Sequence, residues 1–495
     1  MNSGTDTTKK PPYFMIIIMM IGSFIAILNN SLMNNALPTI MSDFDIKEYS
    51  TVQWLTTGYM LVLGVLIPTS AYFITKFSNR SIFITSMTIF SIGTILAIFA
   101  NEFYILLAGR LIQGAGAALL SPLLMNVMIS VFSKKQRGMA MGIYGLIIIV
   151  APALGPTISG YLLEHFSWRA LFIFIAPIAL VALALSIFKL ENVLEQKEAN
   201  LDVASLVLST AGFSFLLYGV SSASSKGWDA FSVYGLIIIG VLALILFSIR
   251  QLKIENPLIN VRVFKYPMYA LGSVVSVINS IILYSAMMLL PFYFQQVQEF
   301  EPMKAGIILL PGSLLMGLFM PIAGKIYDKV GIKPLALSGL VMVGASLIAL
   351  SQLTITTGLF YTIAWFSVFS IGVALLTMPI QTNSLNQLPP ELNSSGVAVN
   401  STLLQVAGAV GSAIFITIMT TFAKTRGEEL FEITKEKLGA KLASYTPDQL
   451  AVLQHDITQQ AKLEAINHTM QFGLIFVVVA FVLSLFLRKG QQEVE

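Results

Sequence analysis

Long apolar runs dominate this chain and limit the architectures open to it. Each is about as long as the 20 residues that a helix needs to cross the hydrocarbon core of a bilayer. Only 11% of the 495 residues are charged, against about 25% in soluble domains. The sequence therefore predicts an all-α polytopic membrane protein with fourteen spans. Spans 1 to 14 are residues 13–37, 51–74, 81–100, 103–132, 138–163, 170–189, 203–221, 231–249, 269–295, 303–326, 334–353, 357–382, 396–422 and 469–487.

Basic residues indicate the orientation of these spans. An even number of spans puts both termini on one side of the membrane. If that side is the cytoplasm, the inner tails and loops hold 18 Lys and Arg, and the short outer loops hold four. Cytoplasmic loops carry an excess of Lys and Arg, whereas long loops have little weight. This asymmetry predicts cytoplasmic termini and a multi-pass protein of the plasma membrane.

A short motif recurs after span 2 and after span 10. Residues 71–80 (AYFITKFSNR) and 324–333 (GKIYDKVGIK) place a small residue, a polar residue, a lysine and a second basic residue in register. A glycine there lets the turn pass close to a neighbouring helix, and an Asp such as Asp328 can cap a helix N-terminus or hold an Arg or Lys of an adjacent helix. Candidate cytoplasmic gating residues in the two copies are Lys76, Arg80, Gly324, Asp328, Lys329 and Gly331. Repeats of this kind are typical of alternating-access carriers with a site between two halves.

The repeat divides the chain into two halves. We predict a first six-helix bundle (1–202), two inserted helices (203–250), a cytoplasmic interfacial linker (251–268) and a second six-helix bundle (269–495). Apolar residues interspersed with Arg and Lys in the linker predict an interfacial helix. The second bundle includes a long outer loop, 423–469, with helix-like apolar spacing. That loop is either a pair of amphipathic helices over the outer mouth or a solvated connector.

One charged residue, Arg110, lies well inside a span. A guanidinium keeps its proton, so at membrane depth it must be paired, hydrogen-bonded or hydrated. It is either part of a functional site, which we favour, or a strut that ties helices together. Gln113 lies three residues further on and shares its helix face. Other candidates for a central substrate or coupling site are Asn29, Asn30 and Asn34 in span 1 and Asn126 in span 4.

Span 5 combines small residues with prolines. Small side chains four residues apart allow close helix packing, and each proline removes a helix hydrogen bond and favours a bend. A candidate hinge therefore comprises Ala151, Pro152, Gly155, Pro156, Ser159 and Gly160. Close packing without gating is the alternative interpretation.

Four motifs resemble those of the fourteen-helix drug:proton antiporter family of the major facilitator superfamily, which includes quaternary-ammonium and lincomycin exporters. They are residues 28–38 (LNNSLMNNALP), the two loop copies, residues 109–118 (GRLIQGAGAA) and residues 151–160 (APALGPTISG). In order, they extend the resemblance over nearly the whole chain. It implies the major facilitator fold, proton-coupled export from a bacterial cell and a cavity lined by span 1.

The chain departs from that family pattern where protons are concerned. The family's acid in span 1 falls at Asn29, and the acid of the first loop falls at Thr75. Proton antiport commonly uses a carboxylate or histidine inside the membrane, and no span holds one at depth. Arg110 could act through bound water, an outer carboxylate (Glu102, Glu164 or Glu299) could serve, or coupling could differ or be absent. The lack of buried carboxylates favours neutral, amphipathic or anionic substrates over dicationic ones.

Other classes of function lack their residues. The chain has no cysteine, no P-loop and three histidines that lie in outer loops, so we expect no metal, no cofactor and no enzymatic activity. We predict a secondary-active exporter of lipophilic or amphipathic compounds. The alternative is an exporter or flippase of a lipid, fatty acid or endogenous metabolite with different or no proton coupling. Expected partners are small lipophilic substrates, protons and membrane lipids, with no nucleic acid, for a monomer.

Overall fold

The computed structural model describes residues 12–47, 49–198, 202–254, 257–438 and 445–488. Fourteen of the helices there are long and apolar enough to cross a membrane, which confirms the predicted number of spans. Spans 1, 3 and 5 to 8 are the helices Tyr13–Asp43, Asn79–Ile98, Arg137–His165, Arg169–Lys189, Val203–Lys226 and Phe231–Lys253. Spans 9 to 14 are Pro267–Gln296, Pro302–Val330, Ile332–Leu350, Leu359–Leu385, Asn393–Leu438 and Pro447–Ser484.

Spans 2 and 4 are each interrupted once. Span 2 consists of Tyr49–Leu66, a 3₁₀ turn at Ile67–Thr69 and Ser70–Lys76. Span 4 consists of Phe103–Ala117 and Leu120–Val131. Pro68 lies in the first break and Pro122 just after the second, where their missing N–H groups end the preceding helical hydrogen bonds.

Spans 1 to 6 pack mainly against one another, and so do spans 9 to 14. The most extensive contact between the two groups joins span 5 to span 10. Spans 7 and 8 form a pair, and span 7 also packs against span 2 and span 13. Trp54 stacks on Tyr218, with ring centroids 5.5 Å apart, and the indole N–H of Trp228 donates to Thr417 Oγ1 at 2.5 Å. The first inserted helix therefore touches both bundles.

Matching glycine pairs show that the two bundles share a backbone arrangement. In the first bundle, an ideal Cβ on Gly93 would lie 2.6 Å from the carbonyl oxygen of Gly109, and the reverse distance is 2.9 Å. In the second, Gly339 and Gly372 give 2.7 and 2.8 Å. Each pair brings two helix backbones together without side chains between them, as small residues do in membranes. Spans 3 and 4 thus correspond to spans 11 and 12.

The outer segment is helical over its described residues, as one of the two sequence-based interpretations predicted, but its helices are continuous with spans 13 and 14. Span 13 continues as one helix to Leu438, and span 14 already begins at Pro447. The two extensions are joined by Arg426, whose Nε lies 2.5 Å from Glu464 Oε2. The second extension starts with a capping box between Thr446 and Gln449, which satisfies backbone N–H groups at the helix end. The described part of this segment is therefore a helical hairpin continuous with the spans.

The interfacial helix predicted between the halves is also wrong over the described residues. Span 8 runs on to Lys253, and only a 3₁₀ turn follows, at Val261–Lys265. Pro257 and Pro267 bracket this segment and supply no N–H donor for a continuous helix. Asn260 caps the turn by accepting a hydrogen bond from the backbone N–H of Arg262 at 3.2 Å.

The glycine pairs give a test of the packing. Gly93→Ala and Gly339→Ala insert a methyl group against backbone, so each should cost about 1–3 kcal/mol and lower the melting temperature of the purified protein. Gly235→Ala in span 8 is the matched control, because the nearest heavy atom to its ideal Cβ is 4.0 Å away. Unchanged melting of both pair variants would contradict the close approach.

Candidate functional site

Arg110 is fully buried within the first bundle and bonds to three helices. Its Nε donates to the carbonyl of Leu55 in span 2 at 3.0 Å, and Nη1 donates to Gln113 Oε1 at 3.1 Å. A longer bond of 3.4 Å joins Nη2 to Asn30 Oδ1 in span 1. The guanidinium carbon lies 4.3 Å from the ring centroid of Tyr59, a cation–π distance.

Gln113 extends this network to two further side chains. Its Nε2 donates to Thr94 Oγ1 in span 3 at 2.8 Å, and Asn29 Nδ2 donates to Gln113 Oε1 at 3.2 Å. Asn29, Gln113 and Thr94 are all buried. The structure thus brings together four of the predicted site residues, Asn29, Asn30, Arg110 and Gln113, and binds spans 1 to 4 through them.

Two predicted residues are not part of this network. Asn126 is buried, but its Nδ2 donates to the carbonyl of Pro122 one turn earlier in its own helix. It lies sixteen residues beyond Arg110, about 24 Å along the span. The side chain of Asn34 lies outside the described residues. Tyr59 and Thr94 were missed, because an aromatic or a threonine inside a span carries no sequence signal of its own.

A side chain of span 1 satisfies a carbonyl that a proline leaves unbonded in span 5. Pro156 has no N–H, so the carbonyl of Pro152 loses its partner within the helix. Ser31 Oγ in span 1 donates to that carbonyl at 3.0 Å. A Cβ on Gly155 would collide with Ser31 Oγ, so glycine is what allows this approach. Asn35 Nδ2 reinforces the contact by donating to Pro156 O and Ser159 Oγ at 3.3 and 2.9 Å.

The candidate hinge residues fall on two faces of span 5. Gly155 and Ser159 face span 1, within the first bundle. Gly160 faces span 10, where Met303 Cγ would lie 3.5 Å from its Cβ, and Pro156 lies 3.4 Å from an ideal Cβ on Gly306. Ala151 is buried, and Pro152 supplies the carbonyl bound by Ser31. One face of the motif therefore packs within the first bundle, and the other contacts span 10 of the second bundle.

Among the described residues, side-chain hydrogen bonds join the bundles in three places at the end where span 1 begins and span 14 ends. The carboxylate of Asp328 accepts from the backbone N–H groups of Gly138 and Met139 at 3.0 Å each, and so caps the N-terminus of span 5. Arg137 Nη1 donates to Asn386 Oδ1 at 3.0 Å. The hydroxyls of Thr75 and Ser394 are 3.4 Å apart. We call these contacts the terminal-side latch.

The other predicted gating residues have different positions. Gly324 packs on the backbone of Gly138, where a Cβ would collide with the carbonyl. Gly331 ends span 10 with φ of 82°, a conformation that favours glycine. Lys76 donates to Tyr72 at 2.9 Å, Arg80 donates to the carbonyl of Ile187 at 2.6 Å, and Lys329 is exposed. The bonds of Lys76 and Arg80 stay within the first bundle.

Two packed bundles with a polar network in the membrane and a non-covalent latch at one end define a membrane carrier. A family model described as "Major Facilitator Superfamily" matches residues 19–412. The chain belongs to this superfamily.

Similar proteins from several bacteria match over most of the chain. The MFS-type transporter YhcA of Bacillus subtilis (strain 168) is 38% identical, over 100% of this chain and 96% of its own length. The lincomycin resistance protein LmrB of Listeria monocytogenes is 37% identical, over 98% and 99%. The riboflavin transporter RibZ of Clostridioides difficile is 28% identical, over 82% and 88%. These similarities identify a multi-pass transporter of the plasma membrane.

A solved structure supports the fold. The human organic anion transporter MFSD10 aligns with a TM-score of 0.58 over 95% of this chain and 100% of its own, at 12% identity. At that identity the likeness concerns the fold alone.

The bond between Ser31 and the carbonyl of Pro152 can be tested by a double-mutant cycle. Ser31→Ala leaves a partly buried carbonyl without its partner and should cost about 1–3 kcal/mol of stability. Pro156→Ala restores an N–H to that carbonyl, so Ser31→Ala should cost less in that background. Melting temperatures of the four proteins measure the coupling. Equal costs in both backgrounds would show that the two groups are not linked.

Proposed function

We propose that this protein exports lipophilic or amphipathic compounds by alternating access between its two bundles. The observation that carries the proposal is the terminal-side latch, which joins the two bundles by hydrogen bonds. Bonds of this kind can break and re-form without covalent change. Span 13 also contacts the terminal-side part of span 2, Ile67–Lys76, and the second half of span 4.

The relatives support export as the direction of transport. Resistance to lincomycin, named for one set of relatives, and multidrug resistance, named for a Mycobacterium tuberculosis relative, both fit removal of compounds from the cell. With cytoplasmic termini, the latch closes the cytoplasmic side, so this state would release a compound outward. Export of a lipid or endogenous metabolite uses the same motion and differs only in cargo.

We further propose that a proton gradient drives this export, although no carboxylate bonds to Arg110 among the described residues. The outer carboxylates are the candidate proton carriers. Of these, Glu299 Oε1 lies 3.0 Å from His455 Nε2 and accepts from Gln459 at 2.8 Å, both in the second helix of the outer hairpin.

Dye efflux from liposomes with an imposed pH gradient tests energy coupling. Efflux should follow the gradient and collapse when an uncoupler removes it, because antiport needs proton flow in the opposite direction. Glu299→Gln should reduce the response to the gradient, with Glu102→Gln and Glu164→Gln as comparisons. Efflux that ignores the gradient would contradict proton coupling but leave alternating access intact.

Crosslinking the latch tests alternating access directly. The natural chain has no cysteine, so Thr75→Cys with Ser394→Cys adds one defined pair. The hydroxyl oxygens they replace are 3.4 Å apart, so sulfur atoms at these positions need only a small shift to reach the S–S bond length of about 2.05 Å. Oxidation should abolish efflux and a reductant should restore it, while each single-cysteine variant stays insensitive. Full transport by the crosslinked protein would contradict separation of the bundles at the latch.

A further inference from the structure

The positive charge of Arg110 has no ionic partner among the described residues. None of the ion pairs found there includes Arg110, and its acceptors are one carbonyl and two neutral amides. Neutral acceptors satisfy its hydrogen bonds but do not cancel its charge, which is costly away from water. An anion placed next to Arg110 would be attracted to a charge that no carboxylate among the described residues neutralises.

One side of the guanidinium is covered by Asn30, a residue that is itself partly exposed. The other two acceptors, Leu55 and Gln113, belong to fully buried residues, whereas Asn30 is partly exposed. Its bond to Nη2, at 3.4 Å, is also the longest of the three. An amide is costly in hydrocarbon, so its exposed side should open on the gap between the bundles. An anionic oxygen arriving there can replace Asn30 Oδ1 and leave the two shorter bonds intact.

The second bundle offers no balancing charge at the corresponding position. Gly109 corresponds to Gly372 through the glycine pairs, so Arg110 corresponds to Val373, which is buried and neutral. The interior of the spans therefore carries one positive charge on one side of the gap and none opposite it.

We infer that Arg110, reached past Asn30, binds the anionic group of the exported compound. The substrate class is then a lipophilic body that carries a carboxylate, sulfonate or phosphate. The inference rests on the proposed export function, whose cargo it specifies. A free organic acid and an anionic lipid headgroup share this chemistry.

Asn30→Asp is the decisive variant, because it adds a carboxylate where Oδ1 already meets Nη2 and keeps the size of the side chain. The new carboxylate stays ionised beside Arg110 and occupies the proposed anion position. Asn30→Ala is the matched comparison, since it removes the amide without adding charge. Arg110→Lys keeps the charge, and Arg110→Met removes it; melting temperatures show which variants are folded.

Binding of two dyes with one ring system measures charge preference. Fluorescein is an anion and rhodamine 123 a cation, and fluorescence polarisation with purified protein in neutral detergent needs no gradient. The natural protein should bind fluorescein at least about tenfold more tightly than rhodamine 123. Asn30→Asp should abolish most of that ratio, and Asn30→Ala should keep or increase it.

The outcomes separate the inference from the proposed function. Equal binding of the dyes by the natural protein, or an unchanged ratio in Asn30→Asp, overturns the inference even if efflux from liposomes is intact. A charge preference that follows Asn30 and Arg110 without any efflux supports the anion site and overturns export. No binding of either dye overturns the inference, and the absence of efflux as well overturns both. Competition by phosphatidylglycerol but not phosphatidylcholine assigns the anion to a lipid headgroup, and no competition by either assigns it to a free organic acid.

Discussion

Hydrocarbon supplies no water to polar groups, and this constraint explains the most informative contacts of the protein. A helix satisfies its own backbone hydrogen bonds. A proline within a span leaves the carbonyl four residues earlier without its donor, and a neighbouring side chain can supply one. The hydroxyl of Ser31 donates to the carbonyl of Pro152 in this way, and the bond joins span 1 to span 5. The same constraint makes Arg110 collect acceptors from spans 1, 2 and 4. Polar contacts that would be minor in water therefore define how the first bundle is assembled.

The two bundles share a backbone plan but differ in chemistry. The glycine pairs of spans 3 and 4 and of spans 11 and 12 are equivalent, yet Arg110 corresponds to Val373. The loop copies diverge in the same way, since Asp328 caps a helix of the opposite bundle with a full charge and Thr75 offers only a hydroxyl. The first bundle thus carries the polar network, and the second supplies the carboxylate of the latch.

Much of this was predictable from sequence, and the failures have physical causes. Apolar length predicted the fourteen spans, and the loop repeat was visible without a structure. The linker helix was wrong because two prolines outweighed the apolar pattern. The outer segment was expected to be either a pair of amphipathic helices or a solvated connector, but helix-favouring residues and the capping box at Thr446 continue the spans into it. The grouping of Asn29 and Asn30 with Arg110 and Gln113 was expected, whereas Tyr59 and Thr94 were found only by packing.

The sequence by itself determined that this chain crosses a membrane and which polar residues lie within its spans. A polar residue inside an apolar run is costly in hydrocarbon, so each one is visible in the sequence alone. Only the tertiary structure decided which of these polar residues contact one another. It assigned Ser31 to a carbonyl 121 residues away and turned Gly155 towards span 1. It also placed the partly exposed Asn30 beside the buried guanidinium of Arg110. Such pairings depend on how helices rotate and cross, and no local pattern records that geometry.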